Sequence, residues 1–204
     1  MAEHTISLVI ATKGRPTLAR SLRSLDGQAW AAGDEVLVVA DGPLPLVREL
    51  CEQFAARLPL RFLENPGQTG MWGHHARNWV MDARQARGAY LMALDDDDEY
   101  TPGAIAAARA AFEVCPEPRP HIFRMTGHPI CPPEAPLLWA DPVMRVGNLG
   151  TPCIAAPNDP GRLGRYGMHY TGDFDFAAST CARYPGGPVW CEAVVCRVRP
   201  IPPT

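Results

Sequence analysis

The feature that most constrains this chain is a short apolar run that leads directly into five consecutive acidic residues. Residues 90–94 (YLMAL) have the length and composition of a buried strand, and residues 95–99 (DDDDE) follow immediately. Carboxylates this close repel one another unless a positive charge lies among them or they spread into water. Because ligands in open α/β sheets bind beyond the carboxyl ends of strands, this junction predicts a binding site.

A divalent cation is the simplest positive partner for the acidic run. Mg²⁺ and Mn²⁺ typically take one or two protein carboxylates and complete their coordination with water and phosphate oxygens, so the run indicates a metal–phosphate site. An EF-hand loop is excluded, because counting from Asp95 places Tyr100 at the required glycine and Ala106 at the required glutamate. The alternative is a solvated acidic loop that caps the next helix.

Strand-like and helix-like segments alternate over the first 115 residues. The predicted strands are residues 6–11, 35–40, 60–63 and 90–94, and the predicted helices follow Pro16 or span about 46–57, 74–86 and 101–114. In the last of these helices, Thr101 is the expected N-cap and Pro102 lies in the first turn. This alternation predicts an α/β fold with a mostly parallel sheet flanked by helices on both faces. Polar residues follow each strand, so four loops should converge on one edge of the sheet.

The second part of the chain differs from the first in its proline content and its apolar periodicity. It contains most of the 22 prolines, and only residues 121–125, 190–198 and 143–149 resemble strands. It has too little apolar periodicity for a core of its own. We therefore expect residues 1–115 and 116–204 to be two halves of one domain, the second a small irregular lobe packed on the same sheet.

The charge, the cysteine content and the lack of long apolar runs argue against several classes of protein. The net charge is −3 and the basic residues form no long stripe, so nucleic acid is not an expected partner. The seven cysteines are odd in number and contain no C-x-x-C pair, which predicts reduced thiols rather than disulfides or a zinc site. Residues 1–11 lack the pattern of a signal peptide, and no apolar run is long enough to span a bilayer. The sequence therefore predicts a soluble, cytoplasmic protein without a transmembrane segment.

Four segments, in order, resemble the motifs of the family 2 glycosyltransferases with the GT-A fold. They are residues 6–16 (ISLVIATKGRP), residues 36–42 (VLVVADG), the ARN and ARGAY segments within residues 76–90, and residues 94–99 (LDDDDE). The resemblance implies a Rossmann-like GT-A domain. In it, residues 1–115 would bind a nucleotide-diphosphate sugar and residues 116–204 an acceptor.

The resemblance also implies roles for individual residues. In the family, a D-x-D motif holds the ribose and a divalent metal, Mn²⁺ or Mg²⁺, on the sugar donor. Here Asp95 would face the ribose and also contribute to the metal, Asp97 would be the main metal ligand, and Asp96 would lie between them. Thr12, Arg15 and Asp41 fall on the loops that contact base and ribose. Arg77 falls where the family contacts the diphosphate or the base.

A late segment, residues 171–176 (TGDFDF), resembles the family's second acidic motif. The resemblance makes Asp173 the catalytic base of an inverting transfer to an acceptor hydroxyl, with Gly172 in place of the usual first acidic residue. Asp175 is the competing base. A helix N-cap is the alternative role for Asp173, and residues 148–152 are either a wall under the acceptor or a plain turn.

Two departures from the family pattern bear on the substrate. Ala40-Asp41 replaces the usual acidic pair, and we favour a uridine-type donor because an Asp carboxylate can accept the ring N–H of uracil. Residues 71–75 (MWGHH) replace small residues and would reshape the pocket. The simplest interpretation of His74 and His75 is surface or helix-start residues, because few histidines are ligands or bases.

Two alternative functions remain at this stage. One is a catalytically silent nucleotide-sugar-binding module in a larger assembly, which the replaced acidic residue before Asp173 allows. The other is a nucleotidyltransferase, which would need a Gly-rich basic loop after the first strand. Residues 12–16 contain a single glycine, which disfavours it.

Overall fold

The computed structural model describes residues 4–67, 70–115, 117–127 and 137–198, and its strands form one mixed sheet. The strands are β1 (Ile6–Thr12), β2 (Glu35–Asp41), β3 (Leu60–Asn65), β4 (Tyr90–Asp95), β5 (Glu99–Tyr100), β6 (His121–Thr126), β7 (Leu137–Leu138), β8 (Ile154–Pro157) and β9 (Val189–Arg197). The helices are α1 (Leu18–Leu25), α2 (Pro45–Phe54), α3 (His74–Asp82), α4 (Ala104–Val114) and α5 (Gly172–Cys181).

The sheet has the order β3-β2-β1-β4-β8-β6-β9-β5, and β7 pairs with β6. The strands β3, β2, β1 and β4 are mutually parallel, as the strand–helix alternation predicts. Beyond β4 the sheet is mixed: β8 is antiparallel to both β4 and β6, whereas β6 and β9 are parallel. The later strands therefore extend the sheet begun by the first half.

The central strands are buried along almost their whole length. β1 and β4 contain apolar residues that are nearly inaccessible to water, and β2 is buried from Glu35 to Ala40. Continuous apolar runs are typical of parallel strands covered on both faces by helices. In the register of these strands, Thr12 pairs with Ala40 and Ala11 pairs with Asp95, so the polar ends of β1, β2 and β4 lie at one edge.

Three predicted helix boundaries were wrong, and one of them is the end of α2, which lies at Phe54 rather than near residue 57. α4 begins at Ala104 rather than at Thr101, because Gly103 has a φ of 79° and the Thr101 hydroxyl instead donates to the Val194 carbonyl at 2.6 Å. α3 ends at Asp82 rather than near residue 86, and Arg84 just beyond it has a left-handed φ of 51°. The changes in α3 and α4 follow from backbone conformations that side-chain periodicity does not encode.

The second half contains elements that the sequence did not predict and lacks one that it did. Residues 143–149 form a loop, not a strand, because the buried Asn148 holds them in a compact turn. Its side-chain amide donates to the carbonyls of Asp141 (2.8 Å) and Val143 (2.7 Å) and accepts the N–H of Ala140 (3.1 Å). The strands β7 and β8 of this half, and β5 at the end of the acidic run in the first half, were not predicted, and they are only two to four residues long.

In the part of the chain that the structure describes, no helix has the length and apolar content needed to cross a membrane. The six described cysteines are reduced, and four of them are buried. Cys131 and the proline-rich tail at residues 200–204 lie outside the described residues.

Candidate active site

A cleft of about 430 Å³ opens at the carboxyl ends of β1, β2 and β4. Residues of both halves line it. The first half contributes, among others, Thr12, Arg15, Asp41, Asp95, Asp96 and Asp97, and the second half contributes Gly150, Thr151, Tyr170 and Asp173. The structure thus brings together all the site residues predicted from the sequence except Arg77, which lies behind the lining.

Arginines lie among the carboxylates of the acidic run. Arg15 contacts two neighbouring carboxylates, those of Asp97 (2.7 Å) and Asp96 (3.3 Å). Arg20 contacts Glu99 at 2.8 Å and donates to the Asp97 carbonyl at 2.9 Å. These guanidinium groups offset the mutual repulsion of the carboxylates. Sequence reasoning missed Arg20, which follows Arg15 by five residues and lies on α1.

Asp96 holds the loop after β1 in place at the base of the cleft. Its Oδ2 accepts a hydrogen bond from the Thr12 hydroxyl at 2.6 Å, and that hydroxyl also accepts the N–H of Gly14. Burial raises the pKa of Asp96, whereas the Thr12 hydrogen bond and Arg15 lower it. Asp95 and Asp97 have more accessible side chains, 35% and 22% exposed against 7% for Asp96. Of these three carboxylates, Asp95 and Asp97 are therefore the ones that a ligand in the cleft can reach most easily.

Arg77 lies beneath the cleft with only 3% of its side chain exposed. Its Nη2 donates to Asp95 Oδ1 at 2.5 Å, and its Nη1 donates to the carbonyl of Trp72 at 3.0 Å. The guanidinium also faces the ring of Tyr166 at 5.6 Å. In this geometry Arg77 orients the first carboxylate of the acidic run and the turn at Trp72 at the same time.

Asp41, at the end of β2, joins this strand to the loop that follows β3. Its Oδ2 accepts the N–H of Gly70 at 2.6 Å, and its Oδ1 accepts a hydrogen bond from the Asn65 side chain at 3.3 Å. Asn65 is fully buried and also contacts the ring of His75 at 2.9 Å. Asp41 is therefore fixed in place where it lines the cleft.

His74 and His75 begin α3, but His74 is not a surface residue. It is 2% exposed, its Nδ1 lies 2.8 Å from the Gly167 carbonyl, and its ring stacks on Tyr166 at 5.5 Å between centroids. Burial and the positive charge of Arg77 lower its pKa. His74 therefore packs as a neutral ring that joins α3 to the segment before α5.

Asp173 lies in the first turn of α5, where its Oδ1 accepts the N–H of its neighbour Phe174 at 2.7 Å. Burial is the largest influence on this carboxyl and raises its pKa from 3.8 to about 6. The negative charge of Asp95 acts in the same direction, while the Phe174 hydrogen bond and Arg77 oppose it. A carboxyl with this pKa is ionised at neutral pH and can accept a proton from a hydroxyl.

The helical conformation of α5 separates the two candidate bases. Asp175 does not line the cleft; its Oδ2 contacts His169 Nε2 at 2.7 Å, and its side chain is 44% exposed. Thr171 occupies the N-cap position. Asp173 therefore faces the cleft without being the N-cap itself, and the Phe174 N–H that its side chain accepts also donates to the Thr171 carbonyl at 3.0 Å.

Gly172, which stands where the family pattern has an acidic residue, is required by packing. A Cβ at this position would lie 1.9 Å from the Gly167 carbonyl oxygen and 2.7 Å from His74 Nδ1. No side chain can be accommodated without moving the backbone. The departure from the motif is therefore coupled to the buried His74.

Comparison with known proteins gives concordant matches. The family model described as glycosyl transferase family 2 matches residues 7–115. A curated relative, the uncharacterized glycosyltransferase MG060 homolog of Mycoplasma pneumoniae, is 31% identical over 102 residues, which is 49% of this chain and 34% of the relative.

Solved structures share the fold. TarS of S. aureus has a TM-score of 0.72 at 16% identity, over 95% of this chain and 36% of that one. A shorter form of TarS (residues 1–349) in complex with UDP-GlcNAc has a TM-score of 0.70 at 17% identity, over 95% of this chain and 58% of that one. The mannosyltransferase PcManGT from Pyrobaculum calidifontis, in complex with GDP-Man and Mn²⁺, has a TM-score of 0.69 at 18% identity, over 95% and 56%. This chain thus spans about a third of the curated relative and less than two thirds of these solved chains.

Proposed function

Because this chain belongs to glycosyl transferase family 2, we propose that it transfers a sugar from a nucleotide-diphosphate sugar to an acceptor hydroxyl with inversion. The observation that carries the proposal is a single cleft lined by the acidic run after β4 and by Asp173 of α5. Residues 1–115 would bind the donor, and residues 116–204 would form the acceptor side. This arrangement would place a carboxylate base beside a site suited to a diphosphate.

The donor side is suited to a divalent cation, Mn²⁺ or Mg²⁺, held by Asp97 and Asp95. Within the described residues, no group of three or more His, Cys, Asp or Glu side chains converges on a metal position. Two accessible carboxylates fit an ion that completes its coordination with water and the donor diphosphate. Bound there, the ion would stabilise the negative charge that develops on the leaving diphosphate. The Mn²⁺ in the PcManGT complex supports this assignment.

The other polar residues of the donor side have complementary roles in this proposal. Thr12 and Asp96 fix the turn beside the ribose, and Arg15 can exchange its carboxylate contacts for a donor phosphate, because a guanidinium binds both groups in the same way. Asp41 would accept the ring N–H of a uracil base. We therefore favour a uridine-type donor, which the UDP and UDP-GlcNAc complexes of TarS also support.

On the acceptor side, Asp173 would accept the proton of the attacking hydroxyl. Inversion needs a base on the face away from the leaving diphosphate and within hydrogen-bond reach of that hydroxyl. The raised pKa of Asp173 supports this role, because a base with a pKa near the working pH accepts a proton more readily than an ordinary carboxylate.

A thermal-shift screen tests the proposal directly. The purified protein is heated with UDP, GDP, TDP, UDP-GlcNAc, UDP-glucose and GDP-mannose, each with and without Mn²⁺. A ligand that binds only the folded state raises the melting temperature by mass action. We expect a shift with a uridine nucleotide that requires Mn²⁺. The absence of any nucleotide-dependent shift, together with no release of nucleoside diphosphate from any donor, would contradict the proposal.

One observation favours a second candidate, a nucleotide-sugar-binding module without catalysis. Gly172 excludes a side chain at the position of the first acidic residue of the late motif. Hydrolysis of the donor in the absence of acceptor distinguishes the two functions. Slow release of nucleoside diphosphate that requires Asp173 supports the enzyme, whereas tight donor binding with no turnover supports the binding module.

A further inference from the structure

Two exposed aromatic side chains meet at the cleft. Trp72 is 55% exposed and Tyr170 is 66% exposed, and both line the cleft. Over residues 4–67, 70–115, 117–127 and 137–198, no other Phe, Trp or Tyr side chain is as accessible to water as these two. Their ring centroids lie 6.1 Å apart with an interplanar angle of 77°, so the two rings form a corner. We call this pair the aromatic corner.

The turn that presents Trp72 has an unfavourable backbone conformation. Gly70, Met71, Trp72 and Gly73 all have positive φ values, of 64°, 41°, 53° and 76°. Two of them are not glycine, and a non-glycine residue in the left-handed region costs roughly 1–2 kcal/mol. None of residues 71–73 is buried, so packing of the turn's own side chains does not offset this cost.

Contacts from elsewhere hold the turn in this conformation. Arg77 donates to the Trp72 carbonyl, and Asp41 accepts the N–H of Gly70. Both contacts come from residues at or behind the cleft. Strained backbone conformations that neighbouring residues hold in place are concentrated at functional sites. The strained turn that exposes Trp72 therefore indicates a ligand-binding role for this side chain.

We propose that the aromatic corner is an acceptor subsite that binds the ring of a neutral saccharide. This inference rests on the proposed function and specifies its acceptor class. A pyranose presents a flat face of C–H groups that packs on an aromatic ring, while its hydroxyls point outward towards polar groups. Tyr170 precedes Asp173 by three residues, so a sugar on the corner would have a hydroxyl near the proposed base.

The charges around the corner favour a neutral ligand. Lys13 and Arg15, the cations among the described residues that line the cleft, both follow β1 on the donor side. The neighbouring lining residues Thr171, Asp173 and Phe174 carry no positive charge. A phosphorylated lipid acceptor held at the corner would meet the negative charge of Asp173, while Arg77 lies buried behind the lining and is already paired with Asp95, which is unfavourable for an anion.

The corner belongs to the acceptor wall through its packing. The Trp72 ring lies 6.2 Å from that of His74, which contacts the Gly167 carbonyl in the segment before α5. Tyr170 lies in the same segment. Both rings therefore pack on the segment that leads into α5, the helix that carries Asp173, and this arrangement favours acceptor over donor contact.

The test measures saccharide binding and donor binding separately on the same variants. The probes are methyl glycosides of glucose, galactose, mannose and N-acetylglucosamine, and the disaccharides maltose, cellobiose and chitobiose. Their binding is measured by saturation-transfer NMR and tryptophan fluorescence in the presence of UDP and Mn²⁺. The variants are Trp72→Ala, Tyr170→Ala and the conservative Trp72→Phe. The control is Leu46→Ala, which shortens a side chain that is 79% exposed and does not line the cleft.

We expect at least one probe to bind the wild type and each alanine variant to weaken it about fivefold to tenfold, the effect of losing one aromatic stacking contact. Trp72→Phe should retain most of the affinity, and UDP affinity should change less than twofold in every variant. Wild-type binding of UDP without any saccharide would overturn the acceptor class and leave the proposed function intact. Weaker UDP binding in Trp72→Ala with unchanged saccharide binding would assign the corner to the donor and overturn the inference.

Discussion

Arg77 and Asp95 form an ion pair that is buried at one end and accessible at the other. Nη2 of Arg77 lies 2.5 Å from Oδ1 of Asp95, with 3% of the arginine side chain and 35% of the aspartate side chain exposed. Through its other amino group the same guanidinium holds the turn that carries Trp72. The buried guanidinium of Arg77 therefore orients both Asp95, which is proposed to bind the sugar donor, and the turn that carries Trp72 of the aromatic corner.

Arg77→Met should destabilise the fold and disorganise the cleft. Loss of one partner of a buried ion pair costs about 3–5 kcal/mol. Because Asp95 retains access to water, we expect the free energy of unfolding to fall by about 2 kcal/mol, measured by urea denaturation. Arg145→Met is the control, since Arg145 and Asp141 form an exposed pair (53% and 46%) and its loss should cost less than about 1 kcal/mol. Equal effects of the two substitutions would contradict the assigned role of Arg77.

Asp97→Asn should remove the dependence of donor binding on the cation. The amide keeps the size of the side chain but loses the charge that a hard divalent ion requires. Titration calorimetry of UDP with Mn²⁺ should give an affinity roughly tenfold or more below that of the wild type, and without Mn²⁺ the two proteins should bind alike. Asp26→Asn, in an exposed pair with Arg57 away from the cleft, should leave both titrations unchanged. An unaltered Mn²⁺ effect in Asp97→Asn would remove the metal assignment.

The turn before α3 can be tested by a matched pair of glycines. Gly73 and Gly27 have nearly the same φ, 76° and 75°, but a Cβ at Gly73 would lie 2.7 Å from the Cβ of Ala11, whereas nothing lies within 4 Å of one at Gly27. Gly27→Ala should cost only the conformational penalty, about 1 kcal/mol. Gly73→Ala should cost about 1–3 kcal/mol more, since β1 or the turn must shift. Equal melting temperatures of the two variants would show that the turn or β1 can shift to accommodate the added Cβ at no further cost in stability.

The parts of the fold that were predicted correctly are those encoded by local pattern. The continuous apolar runs of β1, β2 and β4 identify buried parallel strands, and the acidic run marks the end of β4. The convergence of Thr12, Asp41 and Asp95 on one cleft then follows from the geometry of a parallel sheet. The family motifs added assignments that the pattern alone does not give.

What was missed depends on contacts between distant segments. β8 is four residues long and owes its place to pairing with β4 and β6 on either side. The burial of His74 and the requirement for Gly172 arise from one contact with the Gly167 carbonyl, more than 90 residues beyond His74 in the chain. The exposure of Trp72 results from a left-handed backbone that its own sequence does not require. Such features become visible only when the packed chain is known.

Replacing Asp173 should lower the activity of the protein and raise its stability at neutral pH. As a base it must be ionised, so the rate of sugar transfer or donor hydrolysis should rise with pH through an inflection near its pKa of about 6. Asp173→Asn should lower turnover roughly a hundredfold or more while donor affinity stays within twofold. If the role of Asp173 were only to accept the helix N–H of Phe174, Asn would replace it with activity retained.

Stability provides an independent measurement on the same variant. The folded-state pKa of Asp173 lies above the ordinary value of 3.8, so between about pH 4 and 6 the folded protein holds a proton that the unfolded chain has lost. The contribution of the protonated Asp173 carboxyl to the free energy of unfolding is therefore fully present below about pH 4 and is lost as the pH rises through about 6. At pH 7.5 the buried charge is unfavourable, and Asp173→Asn should be more stable than the wild type by about 2 kcal/mol, with a smaller change between pH 4 and 6. Asp175→Asn, whose side chain is 44% exposed beside His169, should alter stability by less than about 1 kcal/mol and keep full activity. An active Asp173→Asn together with an inactive Asp175→Asn would transfer the role of base to Asp175.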